Sequence, residues 1–270
     1  MANDKQIPKL FDEYRRKIKN TWEEYLLLQF SLSELKKTHK NASIGPHFKR
    51  ELLLNNEKLE YKDKDIHNFI VNLEVNKLGY KTLIEAVSLT ETFLQDLTTL
   101  VYEDYPIKVA HNNPDSPASE LKLTQLIVTA ANKEEMIEAL IEEKVRGIFY
   151  GKPTDFFVKD KAKIGFGDFF KLNFQKAITE FSEITARRNI FIHSNGKVDS
   201  KYLREVDNPQ YGKGQKPILD KNYIRHSIIV LRGLSAVSTT LVLQNIYSKN
   251  ISRMRIKRMT KTLDEYLNTI

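Results

Sequence analysis

The chain of 270 residues contains no cysteine. That removes disulfides and every cysteine-based zinc or iron–sulfur site, and it suits a cytoplasmic location. Glycine and proline are scarce, at 10 and 8 residues, while 29% of the chain is charged. This balance favours an all-α fold over a turn-rich β fold. The opening Met1-Ala2-Asn3-Asp4-Lys5 has no apolar stretch of the kind a secretory leader needs. The most apolar run, Ser227 to Leu243, is interrupted by Arg232 and several Ser and Thr. It predicts a buried helix, not a membrane span, so no membrane contact is expected. Walker, dinucleotide and nucleophile-elbow patterns are missing, and no cofactor is expected.

What is present is a substantial apolar fraction, 41%, with a net charge of +8. The first permits a real core. The second attracts polyanions through counterion release and steering, which makes RNA the economical partner. Charge carried only for solubility is the alternative.

Phe11, Tyr14, Ile18, Thr21, Tyr25, Leu28, Leu32 and Leu35 step alternately by three and four. They predict one long amphipathic helix, packed in a bundle or against its copy in a partner chain. Residues 41–65 form a break with a Gly45-Pro46 turn. Asp63-Lys64-Asp65 and His67 have the look of metal ligands, but without a third cluster they read as a helix start capped by Asp65. A helical pattern follows from Ile66, with a kink near Gly79, and continues through Leu83, Val87, Leu94, Leu97 and Val101 to Tyr105, where Pro106 ends it. His111 to Pro117 reads as a loop and Leu121 to Thr129 as helix. Asn132 followed by Glu135 is a capping pattern opening a helix to about Tyr150. The aromatic stretch Ile164 to Phe170 reads as a core plug in preference to a base-stacking platform.

Asp207 to Asp220, with Pro209, Gly212, Gly214 and Pro217, predicts a mobile loop whose Tyr211, Lys213 and Lys216 face solvent or an RNA backbone. Asp220 caps a long core helix through Tyr223, Ile228, Leu234 and Leu241. Beyond it, Lys249, Arg253, Arg255, Lys257, Arg258 and Lys261 mark a basic helix, read as a solvated face or as an RNA- or partner-binding one. Three parts follow: an N-terminal helical extension over residues 1–78, a helical domain over 79–248, and a basic C-terminal helix over 249–270.

The stretch that carries chemistry is Ile184 to Gly196. It reads as the last turns of a helix stopped by Asn195-Gly196. Arg188, Asn189 and His193 are presented near its end. Asn189 and His193 are one turn apart and share a face, but Arg188 and His193 point about 140° apart on a straight helix. Either the Arg side chain curls round, or a second copy of the helix in a two-fold dimer completes the cleft.

Arg188-Asn189-Ile190-Phe191-Ile192-His193 resembles the R-N-x-x-x-H form of the Rx4–6H motif of the HEPN superfamily, a group of all-helical proteins that includes metal-independent ribonucleases of toxin and phage-defence systems. Asn195 to Leu203 resembles the turn and short helix that follow the motif in one branch, and Leu83 to Tyr105 resembles that branch's earlier core helix. The similarity covers roughly residues 80–248, leaving the first 75 residues outside it. It implies a HEPN-type bundle, a homodimer with a composite site, and an antitoxin or defence-system partner. Asn195 departs from the pattern, standing where toxins paired with a nucleotidyltransferase commonly carry a Tyr. Glu91 occupies a commonly acidic position, either as a solvated carboxylate or as a group that orients Arg188 or His193.

The chemistry such a motif implies needs no metal. An RNA 2′-OH lies beside the scissile phosphate, so cleavage needs a base, an acid and a cation for the charge that grows on phosphate. His193 suits both proton roles. Arg188 suits the phosphate, because its planar fork bonds two oxygens. Asn189 is placed to fix the imidazole or hold a phosphate oxygen. Arg187 reads as a surface phosphate contact or a solvated charge. Lys197, Tyr202, Lys213, Lys216, Arg253, Arg255, Lys257 and Arg258 are further candidates for holding RNA. The sequence thus leaves three functions in competition: an endoribonuclease, a non-catalytic RNA- or nucleotide-binding module, and a structural interaction protein working through the Phe11–Leu35 helix.

Overall fold

The computed structural model describes residues 3–39, 63–110, 132–250 and 254–269. These contain eleven α-helical segments and no strand, so the chain is all-α. They are α1 (Ile7–His39), α2 (Asp63–Asn72), α3 (Leu78–Asp104), α4 (Ile107–Ala110), α5 (Lys133–Phe149), α6 (Asp155–Val158), α7 (Phe169–Asn173), α8 (Gln175–His193), α9 (Ser200–Glu205), α10 (Lys221–Asn245) and α11 (Met254–Leu267). The Gly45-Pro46 turn, the His111–Pro117 loop, the Leu121–Thr129 helix and Arg253 lie outside the described residues, as does the side chain of Arg255.

Helix α10 is the axis of the bundle. It packs against α1, α3, α8 and α11, and its buried face includes Ile224, Ile228, Leu231, Leu234, Val237 and Leu241. One helix among the described residues, Lys221–Asn245, is long and apolar enough to cross a membrane. Most of its apolar surface is buried by its neighbours. Its N-terminus is set as the sequence predicted: the Asp220 carboxylate accepts the Tyr223 N–H at 2.8 Å. Asn132 caps α5 likewise, accepting the Glu135 N–H at 2.8 Å. Each cap satisfies an amide that the helix leaves without a partner.

The heptad pattern of α1 is used within the bundle along its first half. Phe11, Tyr14, Ile18, Thr21 and Tyr25 are buried against α3 and α10, whereas Leu27, Leu28 and Phe30 are exposed. One continuous apolar cluster joins residues of α1, α3, α5, α8, α10 and α11. The expected divisions at residues 78 and 248 therefore mark no break in the core. A bundle helix contributing Phe11 and Ile18 to the common interior is part of the domain, not an appendage.

Two further expectations are adjusted. Helix α2 begins at Asp63, so Asp65 lies inside its first turn and does not cap it. The kink expected near Gly79 is preceded by a π-helical turn, Leu73–Lys77, where one extra residue is accommodated between α2 and α3. Gly79 itself sits where its hydrogen approaches Leu219: a Cβ there would meet the Leu219 carbonyl oxygen at 2.4 Å. The aromatic stretch is a core plug. Phe156, Phe157, Phe166 and Phe170 are buried in mutual edge contact. Asp160 holds the loop closed by accepting the backbone N–H groups of Ile164 and Phe166, each at 3.0 Å.

Candidate active site

Helix α8 ends as its sequence demands. The N–H groups of Ser194 and Gly196 both reach the Ile190 carbonyl at 2.9 Å. Gly196 has φ +73°, and a Cβ there would stand 2.8 Å from the Phe191 ring. Only glycine closes the helix over that ring without strain. The turn delivers the chain to Asp199, whose carboxylate accepts the Ser194 hydroxyl at 2.6 Å and the Tyr202 N–H at 2.8 Å. These two bonds hold the Asp199 carboxyl below the ordinary carboxylate range. They also fix α9 directly after the turn.

The motif-region side chains differ in their surroundings. His193 is the last residue of α8 and is exposed to solvent. Asn189, one turn earlier, is half-buried. Arg188 turns toward α3 and forms an ion pair with Glu91, a residue 97 positions away in sequence. The two side chains retain 15% and 29% of their exposure, so the pair is sheltered but reachable. Burial pushes the Glu91 carboxyl up, against the opposing pull of Arg188. The Arg188 Nε is buried and has no hydrogen-bond partner among the described residues. Glu91 thus sits where it can orient Arg188, one of the two roles left open for it.

Arg187 is a different residue from the one expected. It was expected as a surface phosphate contact or a solvated charge, yet only 3% of it is exposed. Its Nε donates to Glu183 at 2.6 Å and its Nη1 to the Ile218 carbonyl at 3.0 Å. Its guanidinium carbon lies 3.8 Å from the centre of the Tyr223 ring. The Glu183 carboxylate also accepts the hydroxyls of Tyr202 at 2.9 Å and Tyr223 at 2.6 Å. Burial first, then the charge on Glu183, pushes both phenols well above their ordinary range, so both remain donors. Arg187 and Tyr202 are therefore members of a closed internal network and offer nothing to a phosphate on the surface. The i to i+4 spacing of Glu183 and Arg187 shows that the two can pair, but not that the pair is buried.

The loop between α9 and α10 is tied to the motif turn instead of hanging free. Val198 N–H donates to the Gln215 carbonyl at 2.9 Å, and Gly214 N–H to the Val198 carbonyl at 2.8 Å. The Tyr211 ring centre lies 5.2 Å from the Arg187 guanidinium carbon. The expectation of a mobile loop missed these pairings because they join segments separated by α9. Their consequence is that Lys197, Lys213 and Lys216, all exposed, are presented on the two strands of backbone that flank the end of α8. The other basic candidates, Lys257 and Arg258, are exposed on α11. That helix packs on α10, and α9 packs on α8.

No family model matches this chain, and neither the curated proteins nor the solved structures contain a match to it.

Proposed function

We propose that the chain is an endoribonuclease that cuts RNA without a metal ion, with His193 and Arg188 as its catalytic residues. The observation that carries this reading is an exposed imidazole at a glycine-closed helix end, followed by a turn and a pinned loop that carry exposed Lys197, Lys213 and Lys216, on a helix whose Arg188 has an incompletely bonded guanidinium. In this reading His193 removes the proton from the RNA 2′-OH. The 2′-oxygen attacks the adjacent phosphorus, and the bond to the 5′-oxygen breaks. A second, protonated imidazole returns a proton to the leaving oxygen. The products are a 2′,3′-cyclic phosphate and a 5′-hydroxyl. Arg188 neutralises the charge that grows on phosphate, released in part from Glu91 as the phosphate arrives. Asn189, on the same face as His193, positions the imidazole or a phosphate oxygen.

A second His193 imidazole can come only from a second chain, so the reading includes a homodimer that brings the ends of two α8 helices together. The resemblance of Arg188 to His193 to the HEPN motif extends the proposal to a toxin or phage-defence role, with an antitoxin or defence-system partner. The ion pair between Arg188 and Glu91 favours a second reading, a non-catalytic RNA-binding module in which the guanidinium is structural.

Purified protein incubated with total RNA and EDTA separates the two. Cyclic-phosphate ends that vanish in His193→Ala and in Arg188→Ala support cleavage. Salt-sensitive binding without products supports the module. Cutting that requires a divalent ion, or that survives both substitutions, refutes the first reading. Sedimentation of the same sample tests the dimer.

A further inference from the structure

Arginine is handled in two ways in this protein, and the contrast is informative. Buried Arg187 is satisfied by a carboxylate, a carbonyl and two aromatic rings. Three buried side-chain atoms among the described residues have no hydrogen-bond partner, and all are arginine Nε atoms: Arg188, Arg15 and Arg232. The last two belong to residues that line one cleft of about 410 Å³ between α1, α10 and α11. Arg258 of α11 lines it as well. Three arginines from three helices therefore line one concavity.

Among the described residues no carboxylate pairs with Arg232, and the only carboxylate paired with Arg15, Asp12, stands off at 3.8 Å. Burial lowers the Arg232 pKa; Tyr14 opposes this, and the charge of Arg15 adds to it. A cluster of like charges with buried, unbonded donors is costly to keep unless an acceptor from outside completes it. The rest of the lining gives the acceptor's shape. Ile229, Met259 and Leu263 add apolar lining, and the Thr262 hydroxyl, which donates to the Arg258 carbonyl at 2.8 Å, keeps acceptor capacity only. The volume falls in the range of small-ligand sites.

We propose that this cleft is a binding site for a small phosphorylated ligand, held by Arg15, Arg232 and Arg258 through its phosphate oxygens. A carboxylate would neutralise one of the three charges. A phosphate monoester or diphosphate carries two or more, and its oxygens match the planar forks of guanidinium groups. The cleft lies on the α1 side of α11 and uses neither His193 nor Arg188. It is independent of the ribonuclease reading and survives that reading's failure.

Isothermal titration calorimetry with pyrophosphate and with inorganic phosphate, at constant ionic strength, tests the proposal on the full chain. Pyrophosphate is expected to bind more tightly than phosphate. Each of Arg232→Gln, Arg15→Gln and Arg258→Gln should weaken it about tenfold or more, since a charged hydrogen bond is worth about that factor. Lys64→Gln, on exposed α2, should leave binding unchanged. Arg258 is exposed, so that variant keeps the test intact if Arg232→Gln does not fold. No saturable heat overturns the inference. So does equal weakening by Lys64→Gln, or displacement of pyrophosphate by a short single-stranded RNA, which would make the cleft part of a nucleic-acid surface.

Discussion

Replacing Arg187 with alanine and, separately, Arg188 with alanine should give opposite phenotypes although the residues are neighbours. Arg187 is 3% exposed and is the only cation bonded to Glu183 among the described residues. Its removal leaves the carboxylate in the interior, strips the Ile218 carbonyl of its donor, and ends the stacking on Tyr223. Breaking a buried pair from one side costs about 3–5 kcal/mol. Glu183 keeps its two tyrosine donors, which places the expected loss near the lower end, about 3 kcal/mol. For a chain of this size that corresponds to a fall in Tm of roughly 6–12 °C. Arg187→Lys should recover little, because a point charge cannot bond Glu183, bond the carbonyl and stack at once. Arg188→Ala breaks a pair that is partly open to solvent, and burial already pushes the Glu91 carboxyl up. Its cost should be about 1 kcal/mol, with loss of RNA cleavage. Thermal and urea unfolding followed by circular dichroism, alongside the RNA assay, measure both. If the two variants unfold alike, or if Arg187→Ala melts with the wild type, the assignment of one arginine to the interior and the other to the site is wrong.

Three further outcomes are expected. Gly196→Ala should lose about 1–2 kcal/mol, because φ +73° and the Phe191 ring both oppose a Cβ; an unchanged melting midpoint would contradict the helix-stop geometry. Asp199→Ala should cost about 1 kcal/mol by removing the cap of α9. Because the folded carboxyl of Asp199 is held below its unfolded value, this stability is present above about pH 4 and is lost as pH falls through the folded pKa. The gap between wild type and variant should close in acid, and a gap that widens there would have the wrong sign. Gly233→Ala places a Cβ 2.7 Å from Leu263 and should push α11 off α10 at a cost of about 1–3 kcal/mol. Faster hydrogen exchange confined to residues 256–267 is the expected signature, and unchanged exchange there would refute close packing at that crossing.

The sequence by itself determined what depends on a few adjacent residues. The helical class, the caps at Asn132 and Asp220, the stop at Asn195-Gly196 and the buried stripe of α10 are all set within one or two turns. Local backbone bonding and a 3.6-residue period are visible in any short window. Tertiary structure alone decided which arginine faces inward, because Arg187 finds its aromatic partners on α10 and in the loop before it, while Arg188 finds Glu91 on α3. It also decided that the Lys213 loop is pinned beside the motif turn and that Arg15, Arg232 and Arg258 share a cleft. Burial and pairing are properties of the packed whole: two cations one residue apart look the same in a sequence until the helices around them choose which one loses its water.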